Sequence, residues 1–106
     1  MAKKVFISQP MRNKTPEAIK SERERIIAKV KAEYGDDIEI IDSYFEDVDL
    51  EDIRNKPLAY LAKSIALLAT ADLAVFAPDW NVARGCILEH TCAVEYYIPV
   101  MVCHDI

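Results

Sequence analysis

The sequence has little glycine, no excess of positive charge and no long hydrophobic run. Its 106 residues include two glycines and carry a net charge of -5, which disfavours a fibrous chain and a nucleic-acid groove. The start MAKKVFISQP has too short an apolar run for a signal peptide, and no stretch approaches the roughly 20 apolar residues of a membrane span. We therefore expect one cytoplasmic domain over residues 1–106, with no polynucleotide and no membrane as partner.

The sequence also lacks the motifs of disulfide scaffolds, of common nucleotide-binding folds and of calcium loops. The three cysteines are an odd number and suit buried thiols in a reducing compartment better than a disulfide scaffold. The dinucleotide motif G-x-G-x-x-G and the P-loop motif do not occur. Nine acids and no Lys or Arg lie between residues 36 and 52, but without the order of a calcium loop, so a solvated acidic loop is predicted. We expect no cofactor and no metal.

Four short apolar runs read as strands. KKVFIS predicts a strand over 3–8 and IEIID one over 38–42. LAVFA, over 73–77, is continuously apolar, as is typical of a parallel strand covered on both faces. PVMVC predicts the last strand, over 99–103.

Three helices are predicted between these strands, over 16–34, 56–70 and 85–97. In the second helix, six apolar residues recur at helical spacing, and we expect them to face the core. Leu67 lies off this stripe and is expected to face a partner chain. The stripe consists of Leu58, Leu61, Ala62, Ile65, Leu68 and Ala69.

Strands that alternate with helices specify an α/β fold with right-handed crossovers. We predict a three-layer α/β/α domain whose four-stranded parallel sheet has the order 2-1-3-4, as in flavodoxin-like and Rossmann-like folds. In such a sheet, ligands bind outside the carboxyl ends of the first and third strands. We expect that crevice to be lined by SQPMR at 8–12 and PDWNVARGC at 78–86.

The stretch ARGCILEHTCA at 83–93 places an acid, Glu89, among apolar residues on the third helix. Gly85 lies one turn earlier on the same side and leaves a gap in front of the carboxylate. Such a carboxylate can meet a ligand, or it can be an N-terminal acid that satisfies helix amides. Spacing alone leaves both interpretations open.

Three stretches carry a resemblance to a known superfamily. KVFISQPM, ADLAVFAPDW and GCILEHTCAVEYYIPV resemble the nucleoside 2-deoxyribosyltransferase superfamily, with Gly85, Glu89, Ala93 and Val100 in register. Over nearly all of its length, the chain resembles more closely a family of small bacterial and phage proteins of unassigned function, grouped with those enzymes. The resemblance implies that Glu89 attacks the anomeric carbon of an N-glycoside, and that water or another base resolves the glycosyl ester.

The sequence departs from the pattern of those enzymes at several positions. Ala83 replaces the acid that handles the nucleobase, Gln9 replaces a glycine of the first loop, and Thr91 replaces a later glycine. The enzymes also continue past the fourth strand to residues that complete a neighbour's site, whereas this sequence ends at Ile106. We therefore expect a differently shaped pocket that lacks part of the base-exchange machinery.

Further residues of the crevice are candidates for contact with substrate. Arg84 and Arg12 could bind a phosphate, which would favour a nucleoside monophosphate, or they could be solvated surface residues. Trp80 could stack on a base or pack against the end of the sheet. Asp79 could donate the proton in place of the missing acid, and an acid after the second strand could accept ribose hydroxyls. The other substrate-binding candidates are Ser8, Gln9, Pro10, Met11, Asp42 and Ser43.

Cysteine chemistry offers competing interpretations of the third helix. Cys86 and His90 are four residues apart, and a thiol at a helix N-terminus can be a nucleophile. With Cys92, the same pair could be zinc ligands, although Cys92 points to a different side and a fourth ligand has no obvious source. Because no orienting group or C-x-x-C pair is visible, we expect these cysteines to be packing residues.

Two main hypotheses follow for function. The first is a nucleoside deoxyribosyltransferase or a deoxynucleoside monophosphate N-glycosidase, with Glu89 and Asp79 as its catalytic residues. The second is a phage or bacterial binding module that keeps the nucleotide crevice without turnover. A third hypothesis is a purely structural dimerising protein. In each case a homodimer or higher homo-oligomer is expected, with helix 56–70 at the interface.

Overall fold

A computed structural model describes residues 2–41 and 52–104 of the chain. These residues form a four-stranded sheet in which all three strand pairings are parallel. The strand order is 2-1-3-4, which confirms the predicted α/β fold. The strands are β1 (Lys3–Ser8), β2 (Ile38–Ile40), β3 (Leu73–Phe76) and β4 (Val100–Val102).

Within the described ranges, three helices cover the two faces of the sheet: α1 (Pro16–Tyr34), α2 (Lys56–Leu68) and α3 (Arg84–Glu95). Side chains cap the N-termini of α1 and α2. Thr15 Oγ1 accepts a hydrogen bond from the backbone N–H of Ala18, and Asn55 Oδ1 accepts one from the backbone N–H of Leu58, both at 3.1 Å. A short 3-10 turn precedes α3. Among these helices, none combines the length and the apolar composition that crossing a bilayer requires.

The core consists of two apolar clusters, one on each face of the sheet. Alternate residues of β1 and β3 point to α1, where the helix contributes Ile26 and Val30, both fully buried. The opposite residues of β1 and β3 meet Leu68 of α2 and Ala93 of α3. The molecule is therefore a three-layer α/β/α domain with α1 on one side and α2 with α3 on the other.

The prediction for the apolar stripe of α2 is only partly correct. Leu68 is buried and Leu61 is half-buried, but Leu58 at the start of the helix is 59% exposed. Leu67, which we expected to face a partner, packs against the α2/α3-side cluster instead. The helix is thus rotated so that one edge of its apolar arc meets the core while the other edge faces outward.

Candidate functional site

Glu89 is a buried acid on the side of α3 that faces the sheet. Cys86 and Ala93, three residues before and four residues after it, are the other buried residues of this helix, as expected for positions that share one helix side. Glu89 is only 8% exposed. Burial of a carboxylate is unfavourable unless a partner compensates for the loss of water.

The partner is a hydroxyl group at the end of the first strand. Ser8 Oγ donates a hydrogen bond to Glu89 Oε1 at 2.8 Å, across 81 residues of sequence. Ser8 is the last residue of β1 and is 2% exposed. Because side chains alternate along a strand, Ser8 shares with Phe6 the face that meets α2 and α3. Strand register and helix register together bring the two groups into contact.

The environment raises the pKa of the Glu89 carboxyl from 4.5 to about 7. Burial is the main cause, since it disfavours the charged form, and the hydrogen bond from Ser8 partly opposes it. A carboxyl with this pKa exists in both protonation states near neutral pH. A buried acid whose pKa is perturbed in this way is a candidate for a functional group.

Cys86 lies close to Ser8 and Glu89, and its thiol is held in the neutral form. The pKa of its thiol is raised to about 11, mainly by burial and to a smaller extent by the charge of Glu89, while the hydrogen bond with Ser8 lowers it. At neutral pH the thiolate is therefore scarce, which disfavours the thiol-nucleophile interpretation. Within the described ranges, no group of three or more His, Cys, Asp or Glu residues is placed to hold a metal ion.

Gln9 holds the loop after β1 against α1. Its Nε2 donates to the carbonyl of Ile19 at 2.8 Å and to Glu22 Oε1 at 3.0 Å, and Glu22 also pairs with Lys14 at 3.4 Å. Since both acceptors lie at the nitrogen, the orientation of the amide is fixed, and its Oε1 is buried with no hydrogen-bond donor among the residues that the structure describes. No sequence pattern marks Lys14, whose charge lowers the pKa of the Cys86 thiol.

Asp79, the second predicted catalytic acid, lies toward the other side of β3. It lines a cavity of about 260 Å³ that reaches Cys103 and His104 after β4, whereas the Glu89 carboxylate is bonded on the β1 side. Its backbone is left-handed, with φ of 65°, a conformation that asparagine and aspartate tolerate better than most residues. The structure thus gives the two acids different surroundings.

Trp80 packs against the end of β3. Its ring stacks on His90, with centroids 4.0 Å apart and an interplanar angle of 15°. Phe76 completes the group, at 5.7 Å from Trp80 and 4.9 Å from His90. These contacts favour a packing role for Trp80 over base stacking. They also occupy the ring of His90, which the alternative zinc site would have used as a ligand.

Open space lies beside the first turn of α3. A Cβ atom built on Gly85 meets no atom within 4 Å, and whether this space reaches the Glu89 carboxyl stays a prediction. Arg84, at the start of the helix, is exposed to solvent and available to an anion.

The remaining predicted residues lie around the first loop or outside the described ranges. Met11 and Arg12 are exposed, and Pro10 is half-buried. Asp42 and Ser43 fall in the segment that the structure does not describe.

No family model, curated protein or solved structure matches the chain. What the geometry provides is a buried carboxyl of raised pKa, oriented by a hydroxyl, at the carboxyl ends of parallel strands where α/β sheets bind ligands. Such a group can act as a nucleophile or exchange a proton with a ligand.

Proposed function

We propose that the protein cleaves or transfers the N-glycosidic bond of a nucleoside, deoxynucleoside or nucleoside monophosphate, with Glu89 as nucleophile. The observation that carries the proposal is the buried Glu89 carboxyl, held by Ser8 at 2.8 Å, one helical turn after Gly85. The resemblance of GCILEHTCAVEYYIPV to the nucleoside 2-deoxyribosyltransferase superfamily supports the same role for this glutamate.

In the proposed reaction Ser8 fixes Glu89 Oε1, which leaves Oε2 to attack the anomeric carbon. A carbon–oxygen bond to the sugar forms as the carbon–nitrogen bond breaks, and the electron pair leaves with the base, which takes up a proton. Water supplies that proton, because Asp79, the acid predicted for this role, lines the cavity toward Cys103 and His104 instead. Water, or a second base, then attacks the anomeric carbon of the glycosyl ester and restores the carboxylate.

The proposed substrate is a small molecule, and a phosphate on it would be bound by Arg84 at the N-terminus of α3. Because attack requires the ionised form of Glu89, activity is expected to rise with pH through about 7. We also propose a cytoplasmic location and a homodimeric or larger assembly. The odd number of cysteines supports the location.

A second candidate function is a binding module that retains the crevice without turnover. Ala83 favours it, because the related enzymes use an acid at that position to handle the base. In this case the Glu89 carboxyl accepts a hydrogen bond from a sugar hydroxyl and forms no covalent bond.

The test is release of free base from a panel of deoxynucleosides, ribonucleosides and their monophosphates, measured by chromatography. We expect Glu89→Gln to lower release at least about 10³-fold while the protein stays folded, because the amide cannot form the ester. Glu95→Gln is the matched control, since Glu95 is an exposed acid near the end of the same helix, and its activity should equal that of the wild type.

The outcomes separate the two functions. Equal activity of the wild type and Glu89→Gln would remove Glu89 from the mechanism. No release across the whole panel, with a nucleoside monophosphate still raising the melting temperature of the wild type, would favour the binding module.

A further inference from the structure

The Ser8 hydroxyl lies between two buried groups of α3. Its Oγ donates to Glu89 Oε1 at 2.8 Å, and it is also hydrogen-bonded to the Cys86 thiol. Cys86 precedes Glu89 by three residues, and both are buried on the same side of the helix. A hydroxyl has one proton to donate and two lone pairs that accept. The two contacts therefore cannot both use the proton of Ser8.

The protonation states of the two neighbours fix the direction of these hydrogen bonds. Burial raises the pKa of the Cys86 thiol to about 11, so at neutral pH the thiol keeps its proton and can donate it. An ionised carboxylate can only accept. When Glu89 is ionised, the proton of Ser8 is therefore committed to Glu89 Oε1, and the Cys86 S–H is directed at a lone pair of Ser8 Oγ. The result is a chain from Cys86 through Ser8 to Glu89 in which each donor has an acceptor.

The chain reverses its direction when Glu89 takes up a proton. The neutral carboxyl can donate its O–H to Ser8 Oγ, and Ser8 then directs its own proton at the Cys86 sulfur. Sulfur is a weak acceptor, so this arrangement is the less favourable of the two. The thiol therefore favours the ionised form of Glu89 over the protonated form, although it carries no charge itself.

The charged groups that act on this cluster come from the loop after β1 and from α1. Lys14 lowers the pKa of the Cys86 thiol and Glu22 raises it. These two residues pair with each other at 3.4 Å, so their effects oppose one another. The pKa of Glu89 is governed by burial and by the hydrogen bond from Ser8. A neighbour that acts on the Ser8 hydroxyl therefore acts directly on Glu89.

We propose that Cys86 is a positioning residue for Glu89: its S–H donates to Ser8 Oγ and thereby directs the only proton of Ser8 at Glu89 Oε1. Cys86 acts through Ser8 and needs no contact with substrate. Its effect on turnover rests on the proposed function, in which the ionised carboxylate, with Oε1 held and Oε2 free, attacks the sugar. The hydrogen-bond chain itself does not require that reaction.

The experiment compares Cys86→Ala with Cys86→Ser, which both remove the sulfur and differ in one hydroxyl donor. Carbon-detected NMR titration of the full chain measures the pKa of Glu89. In Cys86→Ala this pKa should rise by up to about half a unit, because an adjacent donor strengthens a hydrogen bond by roughly 10 to 30%. In Cys86→Ser it should fall below the wild-type value, because a thiol is only a weak donor. Cys103→Ala, which removes a buried thiol from the core cluster on the α1 side, is the control and should leave the pKa unchanged.

A second measurement uses the wild-type protein and so does not depend on how well Cys86→Ala folds. Infrared absorption in the S–H stretching region reports whether a thiol donates, and the difference spectrum against Cys86→Ser assigns the Cys86 band. This band should move to lower frequency as Glu89 ionises near pH 7, because the thiol then becomes a donor. In Glu89→Gln the band should not depend on pH.

Two results would overturn the proposal. One is a Glu89 pKa that Cys86→Ala and Cys86→Ser leave unchanged or move in the same direction, as expected of a residue that only fills space. The other is a wild-type Cys86 band that stays constant through the titration of Glu89. Neither depends on cleavage of a nucleoside, so absence of turnover counts against the proposed function alone. Where the wild type does release base, the rising limb of its pH–rate profile should move with the measured pKa in both variants.

Discussion

The two sides of the sheet are covered by helices of different character. Nine of the 19 residues of α1 are charged, and its apolar residues Ile26 and Val30 are fully buried against β1 and β3. Only two of the 13 residues of α2 are charged, and much of its apolar surface faces outward. The α1 side is a completed core with a solvated exterior. The α2/α3 side carries both the buried acid Glu89 and the exposed apolar residues of α2.

The contrast can be tested first by truncating an apolar residue on each side. Ile26→Ala should destabilise the fold by about 2 to 5 kcal/mol, because Ile26 is completely buried and its loss leaves a cavity. Leu58→Ala, measured at a concentration where the chain is monomeric, should cost less than about 1 kcal/mol. Urea unfolding gives both values. Equal costs would show that the two sides are covered to the same extent.

The second prediction concerns the pH dependence of stability that Glu89 causes. The folded pKa is about 7 against 4.5 for the ordinary group, so between these values the folded state binds more protons, and stability falls as pH rises. The expected loss is on the order of 3 kcal/mol across this window, at 1.36 kcal/mol per unit of pKa.

Comparison of urea unfolding at pH 4.5 and pH 7.5 measures this loss. Glu89→Gln should remove the corresponding part of the dependence, whereas the exposed-acid variant Glu95→Gln should keep it. An identical pH profile in the wild type and Glu89→Gln would contradict the raised pKa.

The third prediction is that Ser8 stabilises the acid that it contacts. Ser8→Ala should cost about 1 to 2 kcal/mol at neutral pH, because a buried oxygen of Glu89 loses its donor. The pKa of Glu89 should also move further above 7, since the hydrogen bond lowers it. Carbon-detected NMR titration of the carboxyl measures the shift. Ser21→Ala, at an exposed serine of α1, is the control, and a shift of equal size there would contradict the contact.

The smallest effect is expected at the glycine beside the site. Gly85→Ala should stabilise the protein by up to about 1 kcal/mol, because its Cβ meets open space and alanine favours a helix. The same change should weaken substrate binding if a ligand uses that space. Gly35→Ala has equal room but a φ of 88°, so it should destabilise the protein instead. Thermal melts of both variants test the sign, and destabilisation by Gly85→Ala would contradict the open space.

Most of the fold follows from sequence patterns. The bounds 3–8 for the first strand and 16–34 for the first helix agree with β1 and α1 as observed, because strong local signals mark both: a β-branched run, and a capping threonine followed by proline. The third helix ends earlier than the predicted residue 97 because Tyr97 adopts a φ of 61°, which a helix cannot continue through.

The rest depends on tertiary contacts that periodicity does not contain. The apolar stripe of α2 indicates which residues avoid water, but not whether the core or a second chain covers them. The bond from Ser8 to Glu89 joins residues 81 positions apart and exists only once strand and helix are packed. Gln9 was predicted at the substrate, yet its amide nitrogen is directed to α1.

The stacking of Trp80 on His90 gives the protein an internal optical probe. Trp80 is the only tryptophan of the chain, so all indole fluorescence comes from one ring, 4.0 Å from the imidazole that directly follows Glu89 in sequence. Indole emission depends on its immediate surroundings. A ligand that displaces α3 should therefore change the emission of the unlabelled protein. Binding of a ligand near Glu89 can then be followed by titration, without an added chromophore and without substrate turnover.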